Sequence, residues 1–266
     1  MGLILAHAAN NVMNDLFDLD AGSDTKDYPR ALYAPPPVLS GLVSRGGLLA
    51  AAALINLLDL GILIALWIER GWPVVAFALA GLFISVAYTA PPLRLKKRGV
   101  GELSVLLVWG PLMVGGTYYA ATRHLSWGVI AASLPYALLA TTVLMGKHID
   151  KITWDERAGI HTLPVLIGER PSRRLSQAMM MAFYILIVVL AATRVIAWLA
   201  LLALVGVTRL LPVWRVFNKS KPDAPPPEYG DYPIWPLWFA AAAFLHTRRA
   251  GALFVVGLIL GGILLR

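Results

Sequence analysis

Apolar runs long enough to cross a bilayer alternate along this chain with short polar stretches. They fall at about 45–68, 72–89, 102–121, 127–146, 177–193, 195–213 and 250–265, after a shorter first run from Met1 to Met13. A span needs roughly 20 predominantly apolar residues as helix, so the pattern predicts transmembrane helices. The first run is too short alone and must borrow the first turn of the polar stretch behind it. The segment 233–246 is short and carries Pro236, which makes it the marginal member of the set. The expectation is an all-α, polytopic bundle of eight or nine membrane helices. Residues 1–266 are expected to form one membrane-embedded domain with no internal repeat.

Composition agrees with this. The chain is 58% hydrophobic and only 14% charged, with a mean hydropathy of +0.69, which is membrane composition and excludes a soluble core. It has no cysteine, so disulfide and thiolate chemistry are excluded. The net charge of +8 is unevenly placed. Alternating loops at 20–45, 90–101, 147–174 and 209–232 hold nearly all the Lys and Arg, and the opposite loops hold only Arg70, Arg123 and Arg194. The positive-inside rule assigns the first set to the cytoplasm of a multi-pass cell-membrane protein. The basic balance needs no nucleic acid to explain it.

Two acidic stretches interrupt the apolar background on that side. The first is Asn14-Asp15-Leu16-Phe17-Asp18-Leu19-Asp20-Ala21-Gly22-Ser23-Asp24. On a helix Asn14 and Asp18 share a face that Asn11 extends, and Gly22 permits a bend that returns Asp24 toward Asp18. Carboxylates at a membrane helix end face a cavity, a partner or a cation. Mg²⁺ takes one or two carboxylates with phosphate oxygens and water. The second stretch, from Met145 to Pro164, contains Asp150, Asp155 and Glu156 with Lys147, Lys151 and Arg157 interleaved. Taken alone it also reads as a solvated mixed-charge loop. Beside a metal, its cations suit the phosphate oxygens that the metal leaves free. A third stretch, Tyr88 to Glu102, packs Arg94, Lys96, Lys97 and Arg98 into one loop. Lys97 and Arg98 read equally as anchors to anionic lipid, whereas Arg94 and Lys96 are expected on a diphosphate. Together the three stretches can enclose one or two Mg²⁺ ions and a diphosphate, with an apolar slot behind them for a long tail.

These residues resemble the UbiA superfamily of intramembrane prenyltransferases. Asn14-Asp15-Leu16-Phe17-Asp18 matches its first motif, and Asp150 to Pro164 is similar to its second. Three features are similar to the 1,4-dihydroxy-2-naphthoate polyprenyltransferases of menaquinone synthesis: Gly22-Ser23-Asp24, Tyr88-Thr89-Ala90-Pro91-Pro92, and Gly110 to Tyr119. The resemblance covers nearly the whole chain and implies nine helices with both motifs in the cytoplasm. The family helix ahead of the first motif reads as absent or truncated. Where many members carry a third Asp this chain has Gly22, so Asp20 or Asp24 must serve, and the Gly-Ser-Asp variant favours Asp24.

The resemblance implies Mg²⁺-dependent transfer of a polyprenyl group from an isoprenoid diphosphate to an aromatic acceptor. Asn14, Asp18 and Asp24 would hold one ion, and Asp150 and Asp155 a second. Arg94, Lys96, Lys147, Lys151 and Arg157 would contact phosphate. Trp109, Tyr118 and Tyr119 would face the allylic cation through cation–π attraction. Other acceptors stay open: 4-hydroxybenzoate, a chlorin, a haem or glycerol phosphate. A transporter predicts charges spread through the spans rather than acids at helix ends on one face. A CDP-alcohol phosphotransferase needs a denser Asp-Gly-Ala-Arg type motif, which is missing. His148 and His161 read as hydrogen-bonding spectators, and Asp59 in a span is unexplained.

Overall fold

A computed structural model describes residues 1–20, 29–227, 232 and 234–264, without the Arg209 side chain. Helix α1 runs Gly2–Asp20, so the first apolar run continues as helix through the acidic motif. Helix α2, Arg45–Arg70, starts where Ser44 Oγ accepts from the Gly47 N–H and stops at Gly71, whose φ of 87° favours glycine. Pro73 then opens α3, Trp72–Thr89. Helix α4, Gly101–Thr122, widens to a π turn over Val108–Leu112 around Pro111, because proline cannot donate the regular backbone bond. Helix α5, Trp127–Ile149, is capped by Ser126 and runs out at Asp150. The short α6, Ile152–Arg157, precedes the long α7, Glu169–Ala192. A 3₁₀ segment, Trp198–Arg209, then leads into α8, Leu210–Asn218. The last helix, α9, spans Phe239–Leu264.

Six helices, α2, α3, α4, α5, α7 and α9, are long and apolar enough to cross a membrane. Trp198–Thr208 with Leu210–Asn218, bent by 54°, makes a seventh candidate. Helix α1, with its polar positions, stands outside that set. One sequence expectation is corrected here. The segments 233–246 and 250–265 are not two spans, because 239–264 is one unbroken helix. Arg248 and Arg249 interrupt the hydropathy but not the helix, since Arg is a good helix former and Ala240 to Ala243 precede it.

The core lies in the C-terminal half, where α5, α7, α8, α9 and the 3₁₀ segment bury Leu139, Met145, Met180, Phe183, Ile187, Phe217 and Phe254 together. Small residues let these backbones approach, as membrane interfaces require. A Cβ on Gly257 would run into the Leu199 carbonyl. The N-terminal half is thinner, with Leu16, Leu48 and Ala52 joining α1 to α2. The outer face of α2 exposes Leu54, Leu57, Leu58, Ile64 and Ile68, a surface suited to lipid.

Candidate active site

Helix α1 presents His7, Asn11, Asn14 and Asp18 at helical spacing along one face. Two hydroxyls of α3 fix its register. Ser85 Oγ donates to Asn10 Oδ1 and Thr89 Oγ1 donates to Asn14 Oδ1, each at 2.6 Å. Asp18 is 4% exposed. Its Oδ2 accepts from Lys96 Nζ at 2.9 Å, while Oδ1 is buried with no hydrogen-bond partner among the described residues. Such an oxygen is costly unless something fills the space before it. Its neighbours in the motif look elsewhere. Asp15 pairs with Arg30 at 2.5 Å, and Asp20 forms a half-exposed pair with Arg45. Asp24 lies outside the described residues.

The basic loop folds over this end of the bundle. Arg94 occupies the left-handed region at φ 44°, a strained backbone for a residue other than glycine, and Leu95–Lys97 forms one 3₁₀ turn after it. Gly101 lets Tyr88 close against the turn, since a Cβ there would stand 3.2 Å from the ring and 3.3 Å from Lys96 Cα. The amide of His161 donates to the Lys97 carbonyl, which joins this loop to the segment behind the second acidic stretch. Arg98 donates to the Pro92 carbonyl and remains exposed. Burial pushes the Lys97 ammonium down from its ordinary value, with Asp18 opposing.

Five further side chains converge here. Lys147, at the end of α5, lies within electrostatic reach of Lys151, Lys96, Arg30 and Asp18. Lys151 and Asp155 are 2% and 0% exposed and pair at 3.4 Å. Burial pushes the Lys151 ammonium down and Asp155 pulls it back up. Behind them Glu102, in the first turn of α4, stands 2.6 Å from His148 Nδ1 of α5, both nearly inaccessible. Sequence reading missed Glu102, Ser85 and Thr89. The signals were a carboxylate in the first turn of a span, and hydroxyls four apart that match the spacing of Asn10 and Asn14.

Several expected positions differ. Asp150 is 2% exposed, but both of its oxygens face the N-terminus of α9, accepting from Phe239 N and Ala240 N at 2.9 Å each. Burial pushes its carboxyl up to about 7, against the pull of those two amides. Arg157 stays exposed at the end of α6. Tyr118 and Tyr119 belong to the opposite end of the bundle. The Tyr119 hydroxyl reaches the Arg70 carbonyl, at the far end of α2, whose start meets Asp20. With 26 residues in α2 at about 1.5 Å each, the two ends are about 40 Å apart. Trp109 alone remains near the α1 polar face, with its ring 5.4 Å from His7 and 6.4 Å from Tyr136. Tyr119→Phe is therefore expected to leave turnover within about twofold in a membrane assay, as for a substitution distant from the chemistry.

Among the described residues no three His, Asp or Glu side chains converge as a metal cage. The buried, unpartnered Asp18 oxygen beside Asn14 nevertheless fits a divalent cation shared with a phosphate ligand.

The profile of the UbiA prenyltransferase family matches residues 1–231. A 1,4-dihydroxy-2-naphthoate octaprenyltransferase of Haemophilus influenzae is 32% identical over 176 residues, 64% of this chain and 56% of that protein. A 2-carboxy-1,4-naphthoquinone phytyltransferase of Synechocystis sp. is 27% identical over 177 residues, 66% of this chain and 55% of that protein. A chloroplastic chlorophyll synthase of Avena sativa is 25% identical over 163 residues, 59% and 40% respectively. The chain spans about half the length of the curated relatives it matches. No solved structure matches.

Proposed function

Because this chain belongs to the UbiA prenyltransferase family, we propose that it transfers a polyprenyl group from an isoprenoid diphosphate to an aromatic acceptor, 1,4-dihydroxy-2-naphthoate in the first instance. The choice of acceptor is supported by the similarity to the 1,4-dihydroxy-2-naphthoate octaprenyltransferase and the 2-carboxy-1,4-naphthoquinone phytyltransferase and by the Gly22-Ser23-Asp24 and Gly110-to-Tyr119 segments. The observation that carries the reading is the gathering of Lys96, Lys151, Arg30 and Asp18 within electrostatic reach of Lys147. Lys96, Lys151 and Arg30 each have a carboxylate, Asp18, Asp155 and Asp15, while Lys147 forms no ion pair among the described residues, so the cluster calls for further negative charge. A diphosphate supplies that charge, and the apolar bundle behind accepts its tail.

In the proposed reaction the allylic C–O bond breaks and its electron pair leaves with the diphosphate. The acceptor ring then forms a C–C bond to the allylic carbon and, in the naphthoate case, loses its carboxylate. Lys96, Lys147 and Arg94 stabilise charge on the departing oxygens in a site with little water. Asn14 and Asp18, with Asp24 of the same motif, would hold a Mg²⁺ ion. When bound, that ion neutralises phosphate charge as a Lewis acid. Thr89 and Ser85 hold the α1 face that carries these ligands. Trp109, flanked by His7 and Tyr136, offers an aromatic wall to the allylic cation. The positive-inside distribution supports a cytoplasmic site in the cell membrane.

Inorganic pyrophosphate with Mg²⁺ tests the reading without any acceptor. At about a hundred times its Kd a ligand adds about 2.7 kcal/mol. For a chain of this length that raises the melting temperature of the detergent-solubilised protein by about 5 °C. Lys96→Met and Lys147→Met should each remove most of the shift. A wild-type protein whose melting is indifferent to pyrophosphate would count against a diphosphate site.

A further inference from the structure

We propose that the second acidic segment meets the diphosphate with an internal ammonium group, Lys151 held by Asp155, in place of a second metal ion. In the same arrangement Asp150 anchors α9 and is not a metal ligand. The proposal deepens the reading of the site as a diphosphate site and rests on it.

Asp150 has the geometry of a cap supplied by another helix. Its two oxygens accept separately from the Phe239 and Ala240 amides, which are the free donors of the first turn of α9. The positive end of the helix dipole stabilises an anion placed there. The same end repels a cation brought to that carboxylate. Lys221 adds to the repulsion. Its Nζ donates to the Asp150 carbonyl at 2.9 Å, and it lies over the Trp235 ring at 4.9 Å and the Trp154 ring at 5.6 Å. The seam is tight, since a Cβ on Gly146 would stand 2.7 Å from Ala240 N and from Phe239 C. A divalent ion at Asp150 would have to displace this packing.

The other acids around this end are also committed. Glu102 stands against His148 at 2.6 Å, and Glu156 is exposed. Asp155 remains, fully buried, with the Lys151 ammonium 3.4 Å from its Oδ1. Asp155 is thus the one carboxylate of this segment, among the described residues, left to face the cluster, and its Oδ1 is taken up by Lys151, whereas Asp18 has Asn14 one turn away on its own helix. The ammonium itself offers what the metal would: a positive charge directed at phosphate oxygens. Asp155 makes that possible, because a buried Lys without a counter-charge would lose its proton or leave the site. Lys151 is also within electrostatic reach of Lys96 and Asp18, so it borders the same space as the first motif.

The test uses the full chain in detergent, with inorganic pyrophosphate as probe and Mn²⁺ counted by electron paramagnetic resonance. With pyrophosphate bound, a single Mn²⁺ per chain is expected. Asp150→Asn should keep that count and its affinity, while amide hydrogen exchange at Phe239 and Ala240 accelerates by about tenfold. Lys151→Met should keep the count and weaken pyrophosphate by about tenfold. Two Mn²⁺ ions on the wild type, one of them lost in Asp150→Asn, would overturn this proposal and leave the diphosphate reading intact. Failure of the wild type to bind pyrophosphate would overturn both.

Discussion

Asp18→Ala is expected to lower turnover by a hundredfold or more while the protein still inserts and folds. Asp18 is the only carboxylate of the first motif, among the described residues, that is both buried and turned toward the cation cluster. Its removal leaves Lys96 without its counter-charge and takes from the proposed ion an anionic ligand. Loss of one preorganised charge at a reacting centre costs about 10²–10³ in kcat, or about 3–4 kcal/mol. Insertion should survive, because α1 is held by Leu16 against Leu48 and Ala52 and by the hydroxyls of Ser85 and Thr89. Asp20→Asn is the control. Its pair with Arg45 is half-exposed, and such surface pairs contribute about 0–1 kcal/mol. Assayed side by side in membranes, the first variant should be nearly dead and the second nearly wild type. Equal losses would mean that the motif acts through its total charge and not through Asp18.

The second large effect is structural. Gly146→Val is expected to destabilise the protein by about 3 kcal/mol or more and to abolish turnover with it. The obstacle to a side chain at 146 is backbone, with Ala240 N and Phe239 C at 2.7 Å and Phe239 O at 2.8 Å from a Cβ. A flexible side chain can yield to overpacking for about 1–3 kcal/mol. A helix start tied to Asp150 cannot, because moving it breaks both N–H bonds to the carboxylate. Melting in detergent measures this, with Gly262→Val as the comparison, since a Cβ at Gly262 meets nothing within 4 Å. The comparison variant should melt like the wild type.

How much of this was legible in the sequence follows from where the signal lies. Helix positions came through because hydropathy has one cause, the bilayer. The first motif was legible because Asn14 and Asp18 sit at the helical repeat. The structure brings Lys96, Lys151 and Asp18 within electrostatic reach of Lys147 and pairs Lys151 with Asp155, a grouping of charge types that the three stretches suggested. What failed was direction. Asp150 and Asp155 look alike in a run of acids, yet one faces α9 and the other faces Lys151, and only the turn between α5 and α6 decides which. Tyr118 and Tyr119 were misjudged for a similar reason. A helix that starts at the site carries its later residues away from it, about 1.5 Å per residue, and ring chemistry says nothing of depth. The fusion of two apparent spans into α9 was hidden by Arg248 and Arg249, which lower hydropathy without ending a helix.

The most direct test is transfer of label. Membranes containing this chain would be given Mg²⁺, a radiolabelled polyprenyl diphosphate and 1,4-dihydroxy-2-naphthoate, with and without EDTA, and with 4-hydroxybenzoate as an alternative acceptor. The prediction is EDTA-sensitive appearance of label in a prenylated naphthoquinol, with diphosphate released. Absence of label from either acceptor, with no diphosphate released, would contradict prenyl transfer by this chain.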